Sequence, residues 1–126
     1  MTRLQALLAG LTLLSAMAAG AAEPVTVQGI AAQLGSPTPV RLLDVRTRQE
    51  FAGGHIPGAV NIPIGELAGR LSELDPARSL AVYCEVGGRA SRAVDLLEAN
   101  GFVAVLQVQG SMRAWRAAEL PVATGN

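Results

Sequence analysis

The chain of 126 residues has no lysine, one cysteine, one histidine and very few aromatic side chains, namely two Phe, one Tyr and one Trp, 3% of the whole. Each scarcity excludes something. Ten arginines balance ten acids with neither a basic stretch nor an acidic tail, so the charge pattern asks for no nucleic acid partner. One Cys and one His, with no second spaced pair, do not make a zinc site. No metal and no organic cofactor is expected. With so few aromatics the core must be built largely from Leu, Val and Ala, and the length suits one small domain.

Long apolar runs are also scarce. One stands out, residues 4–19, and it falls short of the roughly 20 apolar residues that span a bilayer. It follows Met1-Thr2-Arg3 and ends in Ala19-Gly20-Ala21-Ala22, the pattern of a cleavable secretory leader. The expected division is therefore a signal peptide over residues 1–22, cut after Ala21 or Ala22, and one domain over residues 23–126. The mature protein is expected to be exported, periplasmic if the cell is Gram-negative, with no stable membrane association after cleavage. Export gives the lone Cys84 a meaning, because it cannot pair within its own chain. Such a thiol is either reactive or carefully buried.

Its surroundings favour the first. Tyr83-Cys84-Glu85-Val86-Gly87-Gly88-Arg89-Ala90-Ser91 joins an apolar run, residues 80–83, to a stretch of helical spacing, residues 90–100. Two glycines at a strand-to-helix junction are costly as mere packing, at roughly 0.5–1 kcal/mol each relative to Ala. A turn of this kind can curl its N–H groups and the helix N-terminus toward one anion. Here the anion would be the Cys84 thiolate, so the thiol is expected to be acidic.

The rest of the chain alternates. Strands are expected over residues 25–27, 40–45, 59–62, 80–83 and 102–108, the last covered on both faces. Helical turns are expected over residues 29–34 and 47–51. Ile64, Leu67, Leu71 and Leu74 predict one amphipathic helix, and Met112, Trp115 and Ala118 another that Pro121 stops. Trp115 reads as core, and residues 123–126 as a loose tail. Alternation of this kind implies parallel pairing and a small three-layer α/β domain, in which ligands bind outside the carboxyl ends of the strands. Cys84, Asp44 and Arg46 all emerge at that end.

Cys84-x-x-Gly87-x-Arg89 after a strand resembles the active-site loop of the rhodanese family of sulfurtransferases. Leu43-Asp44-Val45-Arg46 with Glu50-Phe51, and Gly54-His55-Ile56-Pro57-Gly58-Ala59, are similar to two further signatures of that family. Gly110-Ser111-Met112-Arg113-Ala114-Trp115 with Leu120-Pro121-Val122 resembles its Gly-Gly-Met-x-Ala-Trp and Leu-Pro-Val endings. The likeness runs over residues 25–122. It implies a five-stranded, mostly parallel sheet with helices on both faces, and a Cys84 that takes a sulfane sulfur as a persulfide and passes it to cyanide or a thiol. Small-molecule donors and acceptors are thus the expected partners, with a protein as a further acceptor. Two alternatives stay open: a non-catalytic module of the same fold that binds a protein, and a phosphatase or arsenate reductase on the same scaffold. Against the last stands the loop of six residues from Cys84 to Arg89, one fewer than in related cell-cycle phosphatases, which leaves less room for a tetrahedral oxyanion.

The expected site has Cys84 as nucleophile, with Glu85, Val86, Gly87, Gly88, Arg89 and Arg46 around the substrate. Asp44, Glu50 and Ala90 are expected to support the loop. Arg89 either stands at the rim as a cation or pairs with Asp44 or Glu50, the second being favoured because Arg forks prefer bidentate carboxylates. Arg46 binds an oxyanion or fixes its turn. Glu85 either faces the pocket mouth, where it repels a dianion such as thiosulfate, or points to solvent. His55 is expected to stabilise its turn rather than act as a base.

Overall fold

Alternation along the sequence becomes alternation of strands and helices in space. The structure, a computed structural model, describes residues 23–126, and the expected leader lies outside the described residues. In chain order the elements are β1 (Glu23–Val25), α1 (Val27–Gln33), β2 (Arg41–Asp44), α2 (Arg48–Gly53), β3 (Val60–Asn61), α3 (Ile64–Leu67), a 3₁₀ turn (Leu71–Glu73), β4 (Leu80–Tyr83), α4 (Gly88–Ala99), β5 (Val105–Val108) and α5 (Ser111–Ala117). The five strands form one sheet in the order β1-β5-β4-β2-β3, with every pair parallel.

Strand β4 shows how one apolar run serves two cores. Leu80 and Val82 pack with Ala90, Ala93, Val94 and Leu97 of α4 and with Leu67 of α3. Ala81 and Tyr83 pack instead with Ile30 of α1 and with Met112 and Trp115 of α5. Successive side chains point to opposite faces, so both faces of the strand are buried. The result is the expected three-layer α/β domain. Cys84, next in line after Tyr83, falls on the α4 side and is 1% exposed.

Several local expectations are corrected. The first strand lies at Glu23–Val25 rather than at residues 25–27, because the Thr26 hydroxyl accepts from Gly29 N at 3.0 Å and caps a helix that already begins at Val27. The single helix expected through Ile64 and Leu74 is α3 followed by a 3₁₀ turn. Gly69 and Arg70 bond back three residues, to Glu66 O and Leu67 O, and a mid-helix Gly costs about 1 kcal/mol relative to Ala, so the helix does not continue. Leu67 and Leu74 are buried all the same. The third strand is only Val60–Asn61, since Ala59 N is taken by a turn to Ile56 O.

The last strand is shorter than expected and less covered. Phe102 N returns to Leu97 O past Gly101, Val103 is 79% exposed, and Leu106 and Gln107 are only half-buried. The tail is not loose over its whole length. Ala123 pairs antiparallel with His55 through two bonds of 2.9 Å, and Gly125 N donates to Ala52 O at 2.9 Å.

Candidate active site at the end of β4

The chain leaves β4 at Tyr83 and bends at once around Cys84. The bend needs Gly87, whose φ of +138° is a conformation that side chains bearing a Cβ rarely adopt. It brings the N–H groups of Gly87 and Ala90 to 3.1 and 3.3 Å from Sγ, and both donate to the sulfur. The carbonyls are drawn the other way. Cys84 O accepts from Met112 N and Glu85 O from Arg113 N, each at 3.0 Å, where α5 begins. In a planar trans peptide the N–H points opposite to its C=O, so an outward Glu85 O turns the next N–H, that of Val86, away from α5. Among the described residues the N–H groups of Glu85, Val86, Gly88 and Arg89 find no acceptor in the protein. A Cβ placed on Gly88 would meet no atom within 4 Å, so the loop is open on that side.

Around this loop lies a layer of ion pairs. Arg89 makes a two-pronged bond to Glu50, at 2.7 and 3.1 Å, and does not reach Asp44. Glu50 is itself the third residue of a capping box on α2, its carboxylate accepting from Thr47 N at 3.0 Å. The hydrogen bond from Arg89 outweighs the burial penalty and, with Thr47, holds the Glu50 carboxyl down to about 2. The same bond raises the Arg89 guanidinium above its ordinary value.

Arg46 is 1% exposed and its fork is occupied by protein. It donates to Asp44 at 2.7–3.1 Å, to Gly54 O at 2.7 Å and to Glu85 at 3.2 Å, with the guanidinium 5.8 Å from the Tyr83 ring centroid. Burial opposes its charge, and the hydrogen bond and charge of Asp44 outweigh burial and raise its pKa. Of the two roles expected for it, oxyanion binding and fixing the turn, these contacts describe the second, at the turn after β2. Glu85 takes neither of its two expected orientations. Its carboxylate is held between Arg46 at 3.2 Å and Arg116 at 2.6 Å, so its charge is compensated. Val86, by contrast, is 54% exposed at the loop's outer edge.

His55 stacks on Phe51, ring centroids 3.6 Å apart, and its Nδ1 lies 2.8 Å from Phe51 O, to which the Nδ1–H tautomer donates. It is part of the turn before β3. Trp115 is fully buried and donates Nε1–H to Pro121 O at 2.7 Å.

Four residues of the site were not singled out by their sequence context. Ser111 is fully buried, and its hydroxyl accepts from Cys84 N at 3.1 Å. Gln107, on the α4 side of β5, donates to Gly87 O at 3.4 Å and to Ser91 Oγ at 3.1 Å. Asn61 donates to Asp44 O and Arg46 O at 3.0 and 2.9 Å, and Arg116 closes on Glu85. Only Ser111 carried any signal, since it sits inside the Gly110-to-Trp115 segment already marked by motif. An uncharged hollow of about 350 Å³, lined by Val86, Gly87, Gln107, Gln109 and Gly110 among others, flanks the loop. A slightly larger one, about 390 Å³, opens near Arg41 and Arg78 and contains no residue of the Cys84 loop.

Comparison with known proteins agrees with this geometry. Residues 26–118 match the model of the rhodanese-like domain. An HTH-type transcriptional regulator of Mycobacterium tuberculosis is 43% identical over 88 residues, covering 68% of this chain and 38% of the regulator. A sulfurtransferase of Allochromatium vinosum is 33% identical over 95 residues, covering 75% of this chain and 89% of the relative. Two Bacillus subtilis relatives are covered to 60% and 49% of their lengths, so the chain spans about half of several proteins it resembles. The crystal structure of the Anabaena protein Alr3790 superposes with a TM-score of 0.74 at 33% identity, over 79% of this chain and 81% of that one. The motif order, the parallel sheet and these matches lead to one conclusion: the chain belongs to the rhodanese-like domain family.

Proposed function

We propose that this protein moves a sulfane sulfur from a donor such as thiosulfate to a thiophilic acceptor, cyanide or a thiol, through a persulfide on Cys84. In the first step the Cys84 thiolate attacks the outer sulfur of thiosulfate, the S–S bond of the donor breaks, and sulfite leaves with the electron pair. In the second the acceptor attacks the outer sulfur of the persulfide, and the pair returns to Sγ. With cyanide or a thiolate as the attacking species no proton need be moved in either step, which suits a chain whose one His is engaged in a turn. The observation that carries the reading is the loop backbone: two N–H groups already on Sγ and four more without acceptors. Fixed dipoles of this kind stabilise charge without rearranging during the reaction. Glu85 is compensated by two arginines, so it presents no net repulsion to a dianionic donor.

Mass spectrometry of the purified protein before and after thiosulfate is the test. A gain of one sulfur atom that cyanide removes supports the reading, and the absence of any sulfur adduct with thiosulfate, polysulfide or a persulfide donor sinks it. We further propose that the protein is exported and loses its leader. N-terminal sequencing of the exported fraction should begin at Ala22 or Glu23, and full-length protein held in the membrane would overturn this.

A further inference from the structure

We infer that Ser111 is a positioning residue for the release of sulfur, donating its hydroxyl proton to Cys84 Sγ as negative charge returns to that atom. The inference rests on the sulfur-transfer reading above and adds a side chain to a site otherwise made of backbone.

Three observations converge. Ser111 is fully buried, so its O–H must find an acceptor within the protein. Its oxygen already accepts from Cys84 N at 3.1 Å, and among the described residues Sγ of Cys84, at 3.9 Å, is the acceptor available to its proton. That distance is at the outer edge of reach for sulfur, and such contacts tighten when charge appears. Third, Ser111 has φ +53°, in the left-handed region where glycine is favoured over any residue with a Cβ. Packing alone does not explain a serine there; its oxygen serves Cys84 N, and that leaves its buried proton to be placed. Aiming the hydroxyl at Sγ places it.

The hydroxyl acts unequally on the two steps. When the acceptor takes the outer sulfur, the S–S bond breaks and the electron pair goes to Sγ, so a hydrogen bond to Sγ favours release. When the thiolate attacks a donor, charge leaves Sγ, and the same bond gives no help. Loss of the hydroxyl should therefore slow release and leave loading unslowed.

Two variants separate this from a structural role. Both S111G and S111A remove the hydroxyl and leave Cys84 N without its acceptor, but glycine relieves the backbone at φ +53° and alanine does not, so S111A should melt below S111G. Persulfide is formed on each protein with inorganic polysulfide, and its discharge into cyanide is followed in single turnovers by mass spectrometry. We expect release to slow about three- to tenfold in both variants alike, the size of a partial charge-assisted hydrogen bond, with loading by polysulfide unslowed. Wild-type release rates in both variants overturn the inference, as does slowing that follows the melting temperatures or affects loading equally. A wild-type protein that neither loads nor releases sulfur overturns the sulfur-transfer reading, and this inference with it.

Discussion

Two loops leave the same end of the sheet, one after β2 and one after β4, and they use their polar groups in opposite ways. After β2, Asp44, Arg46 and Asn61 saturate one another and the neighbouring carbonyls, in a region where Asp44 and Arg46 are almost fully buried. After β4, backbone N–H groups converge on a single sulfur and others stand without an acceptor. Charged side chains hold shape in the first, and neutral dipoles face the sulfur in the second. Arginines 46, 89 and 116 all have carboxylate partners, so these three cations are engaged in holding the frame.

The largest break in this comparison should come from the sulfur itself. Cys84→Ser should reduce thiocyanate formation from cyanide to background, and residual transfer above background would place the reacting group elsewhere. Next is the frame: Asp44→Ala leaves Arg46 buried without its main partner, and removing one member of a buried pair costs about 3–5 kcal/mol. Urea denaturation should show that loss, and a loss under about 1 kcal/mol would mean that the pair behaves like an exposed one. One Gly inserted between Gly87 and Gly88 spreads the converging N–H groups, and transfer to cyanide should fall roughly ten- to a hundredfold, as displacements of about 1 Å at reacting atoms do. The unaltered protein should hydrolyse no aryl phosphate; hydrolysis faster than sulfur transfer would reverse the argument from loop size.

The smaller effects test how much the ion-pair layer matters. Glu50 is held down to about 2 from an ordinary value of 4.5. A lowered folded-state value means that its contribution is complete above about pH 4.5 and is lost as pH falls toward 2. The stability difference between wild type and Glu50→Gln should therefore close across that window, and by less than about 1 kcal/mol, because the carboxylate is 34% exposed and screened. A difference that stayed constant with pH would remove the ionic part of the pair. Least of all, Glu85→Gln should lower the KM for thiosulfate by less than about threefold, since the one charge changed lies in a partly exposed, screened pair. A larger fall in KM would mean that Glu85 does repel the donor.

Much of this was legible in the sequence where the signal is local. The run over residues 80–83 has no polar residue and is buried on both faces, and Gly87 marks the bend around Cys84. The expected helical turn over residues 47–51 is there as the start of α2, and in space Thr47 and Glu50 cap it reciprocally. What could not be read depends on crossovers. Ser111 meets Cys84 only because parallel strands bring distant turns to one edge, and the same crossovers choose Glu50 over Asp44 as the partner of Arg89. The expected helix through Ile64 and Leu74 failed for a different reason: its apolar stripe is correct, but four residues before Gly69 are too few to propagate a helix. The fate of Glu85 turned on Arg116, on an element 31 residues away.

The burial of Cys84 also has a kinetic consequence. With Cys84 1% exposed at the floor of a tight loop, donor and acceptor must approach by the same opening and cannot both stand over the sulfur. Under the proposed reaction the first product must depart before the second reactant enters, which is a ping-pong scheme. Initial rates plotted in double-reciprocal form against donor, at several fixed acceptor concentrations, should then give parallel lines, and an excess of acceptor should compete with donor for the free enzyme.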